Sequence, residues 1–232
     1  MFKKINFPFY QNQWFGINFK ILKSKKLLFK KADKNFYTNF YIEFKKNFKN
    51  INSLPSNYKN EKNKLADFIY QNYFDKTILS YGSGLGIIEL NLFESSVDIT
   101  CYESAKNANF LVQDSLIYKE ILPKIKYDVI YFSYVMYSMT KSEINKLINS
   151  LKDNINNEGE IVIFFSERSK IDLKIILRTI KIILFGKGEF QFWGYERNSK
   201  FYVTIFENAG YELKEALDIN NHRCLIFKFN KI

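Results

Sequence analysis

Beyond about residue 60, the chain alternates short apolar runs with stretches of helical period. The apolar runs at 77–81, 97–102, 109–113, 128–133 and 160–165 have the length of buried strands, and helical periodicity marks 85–93 and 141–154. The helix at 141 opens on Thr140, Lys141, Ser142 and Glu143, a capping box, and Gly159 follows its end. Repeated strand and helix units predict a parallel sheet covered on both faces. The end of the chain differs in kind. A helix over 199–209 runs to Gly210, then Tyr211–Leu217 and Arg223–Phe229 flank a short turn at 218–221. Two strands joined so closely form a hairpin, so one of them must run antiparallel.

The first of these strands meets three glycines. Thr77 to Tyr81 is followed by Gly82, Gly84 and Gly86, with a helical pattern resuming at Leu85. Strand, glycine turn and helix in succession allow a left-handed backbone and leave no Cβ in the way of a ligand at the helix amides. A nucleotide-like ligand is the chemistry this turn predicts. The dinucleotide fingerprint places its third glycine three positions after the second; here that position is Ile87, and Gly86 comes one residue too soon. The next strand, Ile99–Tyr102, ends on Glu103, whose carboxylate is placed to accept both hydroxyls of a ribose.

Residues 1 to 64 read as loop and helix. Phe36, Phe40, Tyr41, Phe44 and Phe48 recur at helical spacing among lysines, and a turn at 52–57 leads to a helix at about 60–74. We expect residues 1–59 to form a basic helical cap over the ligand mouth, with Trp14 and Tyr58 within reach of it. Charge sharpens this picture. Of the net charge of +11, residues 1–64 carry 15 lysines against Asp33, Glu43 and Glu61, a balance of +12, leaving −1 for the rest. Such a concentrated field favours anionic partners, whether phosphorylated substrates, nucleic acid or a membrane surface; drift toward a lysine-, asparagine- and isoleucine-rich composition is the plainer reading.

A hydrophobic content of 47% belongs to a globular chain, and no apolar run reaches the roughly 18 residues of a membrane span. The N-terminal residues make a poor secretory signal, so a cytoplasmic protein is expected. Cys101 and Cys224 fall within predicted strands and read as buried structural thiols. With one histidine, His222, and no zinc-ligand spacing, no metal site is expected.

Taken together, residues 60–232 resemble a class I S-adenosylmethionine-dependent methyltransferase. On this resemblance Gly82, Gly84 and Gly86 form the glycine loop beneath the methionine moiety and Glu103 binds the ribose, with Ser83 and Ser104 as further cofactor-binding residues. Asp114 would meet the adenine amino group, with Ser115 beside it as a further cofactor-binding residue. The segment 127–137 matches the fourth strand, whose end at Ser133 and Tyr134 lines the methyl-transfer chamber, and 157–165 matches the fifth. The resemblance implies an α/β fold with a Rossmann-like, mostly parallel sheet, an antiparallel C-terminal hairpin strand, a helical N-terminal cap and S-adenosyl-L-methionine as cofactor. The sequence departs from the family at two places. Ser80 stands where an acid is usual, so any grip on the methionine amine must come from elsewhere, and ten residues between Glu103 and Asp114 are too few for a full helix and strand.

Methyl transfer from a sulfonium is an in-line displacement in which the protein aligns donor and acceptor and excludes water. A base for a hydroxyl acceptor must lie at the rim where the parallel strands end. His222 is the candidate with a suitable ordinary pKa, against a solvated turn histidine; Glu167 is the next, against a surface ion pair; Tyr137 is expected to pack on the cofactor or orient the acceptor. The aromatic segment 190–197 stands where the family builds its substrate lid, with Trp193 and Tyr195 as stacking faces and Arg197 for a phosphate or carboxylate. The apolar segment 171–185 with its narrow basic stripe reads as a homodimer contact or buried helix, or as a membrane-surface helix. The turn after the fourth strand lacks the Asn/Asp-Pro-Pro motif of adenine-amino methylation, and neither cysteine suits cytosine C5 chemistry. What remains is a small-molecule or surface-carbohydrate acceptor, expected to be anionic; the compact chain with its lysine- and aromatic-rich cap resembles enzymes of bacterial capsule or lipopolysaccharide synthesis, and that resemblance implies O-methylation of a sugar, nucleotide-sugar or phosphate-bearing precursor of a surface polysaccharide. The alternatives are an RNA methyltransferase, or a non-catalytic nucleic-acid-binding protein that uses the basic cap.

Overall fold

The computed structural model describes residues 4–105 and 108–229. The chain opens with strands β1 (Asn6–Gln11), β2 (Gln13–Trp14) and β3 (Ile17–Asn18), then helices α1 (Lys34–Asn47) and α2 (Ser56–Tyr73). Strand β4 (Ile78–Tyr81), helix α3 (Ile87–Glu94), and strands β5 (Ile99–Tyr102), β6 (Tyr118–Lys119) and β7 (Tyr127–Ser133) follow. Then come α4 (Lys141–Ser150), β8 (Ile155–Phe165), α5 (Leu173–Phe185), β9 (Gln191–Arg197), α6 (Ser199–Asn208), β10 (Tyr211–Ile219) and β11 (His222–Phe229). No described helix is long and apolar enough to cross a membrane.

Seven strands form one sheet in the order β10-β11-β8-β7-β4-β5-β6, and β11 alone runs against the others. Helices α4 and α6 bury Ile144, Ile148, Tyr202 and Phe206 on one face; α2 and α3 bury Leu65, Ile69, Ile88 and Leu92 on the other. The strand order reverses between β4 and β7, which opens a crevice at their carboxyl ends. Local signals shaped these elements as expected. Thr140 and Glu143 form the capping box of α4, and a two-residue turn at Asn220 and Asn221 joins β10 to β11. Cys101 and Cys224 are both free and buried.

Two expectations are corrected. The run 109–113 is not a strand: hydrogen bonds from Val112 N to Asn109 O (2.8 Å) and Ser115 N to Val112 O (3.0 Å) wind it into successive turns, and the sheet edge is instead the two-residue β6. Asn109, Asp114 and Ser115 favour turns, and the span after Glu103 is too short for helix and strand together. The segment before α1 is not only loop and helix. Strand β1 pairs antiparallel with β9, from Asn6 opposite Arg197 to Gln11 opposite Gln191, because the β-prone Phe7, Phe9 and Tyr10 find a partner far along the chain. This ribbon and α1 roof the crevice. Trp193 sits among Phe19, Phe36 and Trp14, with Phe40 stacked on Trp14 at 4.6 Å. The buried Gln191 amide ties the 27–30 segment to the ribbon, donating to Leu27 O (2.9 Å) and Lys30 O (2.8 Å).

Candidate active site

Between the roof and the strand ends lies a cavity of about 960 Å³. Its floor is the glycine turn. Gly82, Gly84 and Gly86 all have positive φ (78°, 57° and 76°), which turns the chain sharply from β4 into α3 and brings the helix's first residues, Ile87 to Glu89, to the cavity wall. At Gly86 the approach is also close: a Cβ there would run into Tyr118 Oη and Val112 Cγ2. Glu103, at the end of β5, holds this turn in place. Its Oε2 accepts from Gly84 N (3.0 Å) and its Oε1 from Ala105 N (2.7 Å). Burial and the Glu103 charge push the Tyr37 hydroxyl above it up to about 12.

Ser83 and Ser104 line the same cavity, with Ser133 and Tyr134 at the end of β7. Ser133 Oγ accepts from Lys62 Nζ (3.0 Å), which lies over the rings of Tyr58 and Tyr134 at 5.6 and 5.2 Å. Tyr134 takes a left-handed backbone, φ 59°, a conformation costly for a bulky residue and held here by its surroundings. Its hydroxyl meets His222 Nδ1 in a very short hydrogen bond. His222 is buried, which corrects the solvated-turn reading; burial lowers its pKa, and Nε2 has no hydrogen-bond partner. Tyr137 is hydrogen-bonded to Trp193 and packs close to Gly194, and burial raises its hydroxyl far above the ordinary range.

Four assigned roles change on this geometry. Asp114 and Ser115 are exposed on the 108–116 turns and do not line the cavity, so the adenine contact expected of them has no basis in their position. Arg197 is 1% exposed, and its donors are engaged by the fold: Nη1 on Met136 O (2.7 Å), Nη2 on Met139 O and Nε on Asn6 Oδ1 (2.8 Å). It stands over the Phe201 ring at 4.3 Å and locks the roof ribbon to the turn after β7, instead of offering itself to an anion. Glu167 accepts from Ser199 N (2.7 Å) at the start of α6 and pairs with Arg223 Nε (3.3 Å), so it behaves as a helix-end carboxylate in an ion pair. Trp193 and Tyr195 do line the cavity, as do Trp14 and Tyr58.

Sequence reasoning missed Glu89 and Lys62. Glu89 is 2% exposed beneath the glycine turn, and its Oε1 accepts from Ser80 Oγ (2.6 Å) and the Tyr131 hydroxyl. Burial raises its pKa against these hydrogen bonds and the Lys62 charge. Burial likewise lowers Lys62 to about 8. One signal was available: Lys62 falls on the stripe Tyr58, Lys62, Leu65, Ile69, where a helix facing a core is expected to be apolar. Among the described residues no group of three His, Cys, Asp or Glu side chains could hold a metal ion.

A parallel sheet with one antiparallel strand next to its edge and a crevice over the first glycine turn has solved counterparts. Magnesium protoporphyrin IX methyltransferase from Synechocystis PCC 6803, with bound S-adenosylhomocysteine, superposes with a TM-score of 0.62 at 11% identity, over 84% of this chain and 96% of that one. The fold is that of the class I methyltransferases. An O-methyltransferase family protein from Burkholderia thailandensis matches this methyltransferase fold at TM-score 0.60 and 12% identity, over 91% of this chain and 67% of that one. Human N-acetylserotonin methyltransferase, in complex with S-adenosylmethionine, gives 0.58 and 13%, over 86% of this chain. The chain spans 57% of that protein and 55% of the pyocyanin biosynthetic protein PhzM, another match. No protein-family model matches the chain. No curated protein sequence matches it either.

Proposed function

We propose that this protein is an S-adenosylmethionine-dependent O-methyltransferase acting on a small, anionic carbohydrate such as a sugar, nucleotide-sugar or phosphate-bearing precursor. The observation that carries this reading is one continuous cavity that runs from Glu103 and the glycine turn to an aromatic roof at Trp14, Trp193 and Tyr195. Its volume stands at the upper end of small-molecule sites, about 300–1,000 Å³, as expected of a chamber that takes a cofactor and an acceptor together. The residues fit the cofactor: Glu103 would receive the ribose hydroxyls, and the open glycine turn would pass beneath the thioether chain. When bound, the cofactor supplies an activated methyl group. The chain's own part is to exclude water beneath the roof and to align the acceptor oxygen.

On this reading Tyr134 presents its hydroxyl to the acceptor, and His222, neutral in its buried place, holds that hydroxyl through Nδ1. His222 then acts through Tyr134 and not directly on the acceptor. The aromatic wall at Trp193 and Tyr195 suits the apolar side of a sugar ring, and Lys34 at the cavity wall favours a negatively charged acceptor. Two of the solved counterparts, the magnesium protoporphyrin IX and N-acetylserotonin methyltransferases, are named for small-molecule acceptors.

The test is calorimetric titration with S-adenosylhomocysteine, followed by incubation with methyl-labelled S-adenosylmethionine and a panel of nucleotide-sugars, phosphorylated sugars, phenols and short RNA. Saturable binding that Glu103→Gln weakens, with label appearing on a sugar oxygen, is expected. Label on RNA alone, or salt-sensitive nucleic-acid binding without any methyl transfer, would replace this reading with one centred on the lysine-rich segment before residue 65.

A further inference from the structure

The floor of the cavity carries two opposite charges from neighbouring helices, a buried Glu89 and a half-buried Lys62. Glu89 enters from the first turn of α3 and Lys62 from the facing side of α2, and both line the cavity. A carboxyl group with so little solvent is costly unless its charge is matched. Ser80 and Tyr131 hold only Oε1. Lys62 is fixed in turn by Ser133 and by the rings of Tyr58 and Tyr134. The pair lies toward β7, whereas Glu103 lies at the end of β5 on the other side of the glycine turn. A ligand stretched across the turn with its ribose at Glu103 would therefore bring its far end to Glu89 and Lys62.

We propose that Glu89 and Lys62 form a clamp for an α-amino-acid zwitterion, Glu89 taking the ammonium and Lys62 the carboxylate of the cofactor's aminoacyl end. This rests on the cofactor reading above and assigns the missing amine contact at Ser80 to a carboxylate from the helix. Because Ser80 donates to Glu89, the strand end serves as a support for the acid and not as the acid itself.

The test compares S-adenosylhomocysteine with 5′-methylthioadenosine, which keeps adenine, ribose and thioether but has no aminoacyl end. Wild-type protein is expected to prefer S-adenosylhomocysteine. Glu89→Gln, which keeps an oxygen for Ser80 and Tyr131, should weaken S-adenosylhomocysteine at least tenfold and leave methylthioadenosine unchanged. Lys62→Met should abolish discrimination between S-adenosylmethionine and its decarboxylated form. Equal weakening of both ligands by Glu89→Gln, or no change in either, overturns the clamp while the cofactor reading stands. Failure of the wild type to bind any of these nucleosides overturns both.

Helix α5 carries a surface of another kind. Its inner side, with Thr179 and Ile182, packs on the back of the roof ribbon against Tyr10 and Phe192. Its outer side leaves Leu173, Leu177 and Leu184 68%, 57% and 65% exposed, with Ile176 and Ile180 between them. Lys174, Arg178 and Lys181 run beside this stripe, and no acidic residue occurs from Leu173 to Gly188. Two copies joined two-fold across the stripe would bring these cations together, whereas an anionic lipid surface complements both features. We infer that α5 docks on an anionic membrane surface, its apolar stripe in the interface and its cations at the headgroups.

Flotation with phosphatidylcholine vesicles, with and without phosphatidylglycerol, tests this. Binding that requires phosphatidylglycerol, weakens with salt and is lost in Leu177→Asp/Leu184→Asp, with circular dichroism unchanged, is expected. Absence of such binding, or a concentration-dependent dimer that the same double substitution dissolves, overturns it.

Discussion

Arg197 shows how a residue's neighbours decide its role. Its guanidinium closes two backbone carbonyls of the turn after β7 and the Asn6 side chain in one planar fork. Lysine cannot reproduce that fork, so Arg197→Lys should destabilise the protein by about 1–3 kcal/mol, read as a lower urea midpoint at unchanged slope. Lys62 gives a pH signature. Its native pKa of about 8 lies below the ordinary 10.5, so between these values the unfolded chain binds more protons and stability rises with pH. The buried thiols of Cys101 and Cys224, pushed up from their ordinary 9, act in the opposite sense over the same range, so the signature is the difference between two unfolding series: from pH 8 to 10 the wild type should gain stability relative to Lys62→Met. Of these roles, only that of Lys62 left a trace in the sequence, as a cation on an otherwise apolar helix stripe. An arginine closing an aromatic strand looks like an anion site until its acceptors are known, and a buried acid such as Glu89 is indistinguishable from a solvated one.

At the level of elements, what the sequence made legible depended on how local its causes were. The capping box of α4, the glycine turn and the closing hairpin each lie within a few residues, and the structure has all three. Strand β1 was not legible because its partner β9 lies roughly 180 residues away, and β6 because two residues carry no period. The contact between β9 and the turn after β7 is close: a Cβ on Gly194 would meet Tyr137 Cδ2 at 2.5 Å and Tyr137 O at 2.6 Å. Gly194→Ala should therefore lift the roof ribbon off Tyr137. The expected result is a raised acceptor KM with S-adenosylhomocysteine affinity little changed, since Glu103 and the glycine turn stand on the opposite floor.

For the whole molecule, the cavity couples ligand to stability, because its walls come from the roof, the sheet and α2 alike. Saturation with S-adenosylhomocysteine at a hundredfold excess over Kd should raise Tm by about 5 to 10 °C, and calorimetric scans with and without ligand measure it. The pairing of β1 with β9 has a temporal side as well. In vectorial synthesis at about 5–20 residues per second, β1 would wait on the order of ten to forty seconds for its partner to be made. Meanwhile the aromatic side chains that later surround Trp193 have no seat for their apolar surface. The chamber thus stays unroofed until β9 is made, and through that stage the aromatic side chains of the first sixty residues lack the ribbon that later covers them.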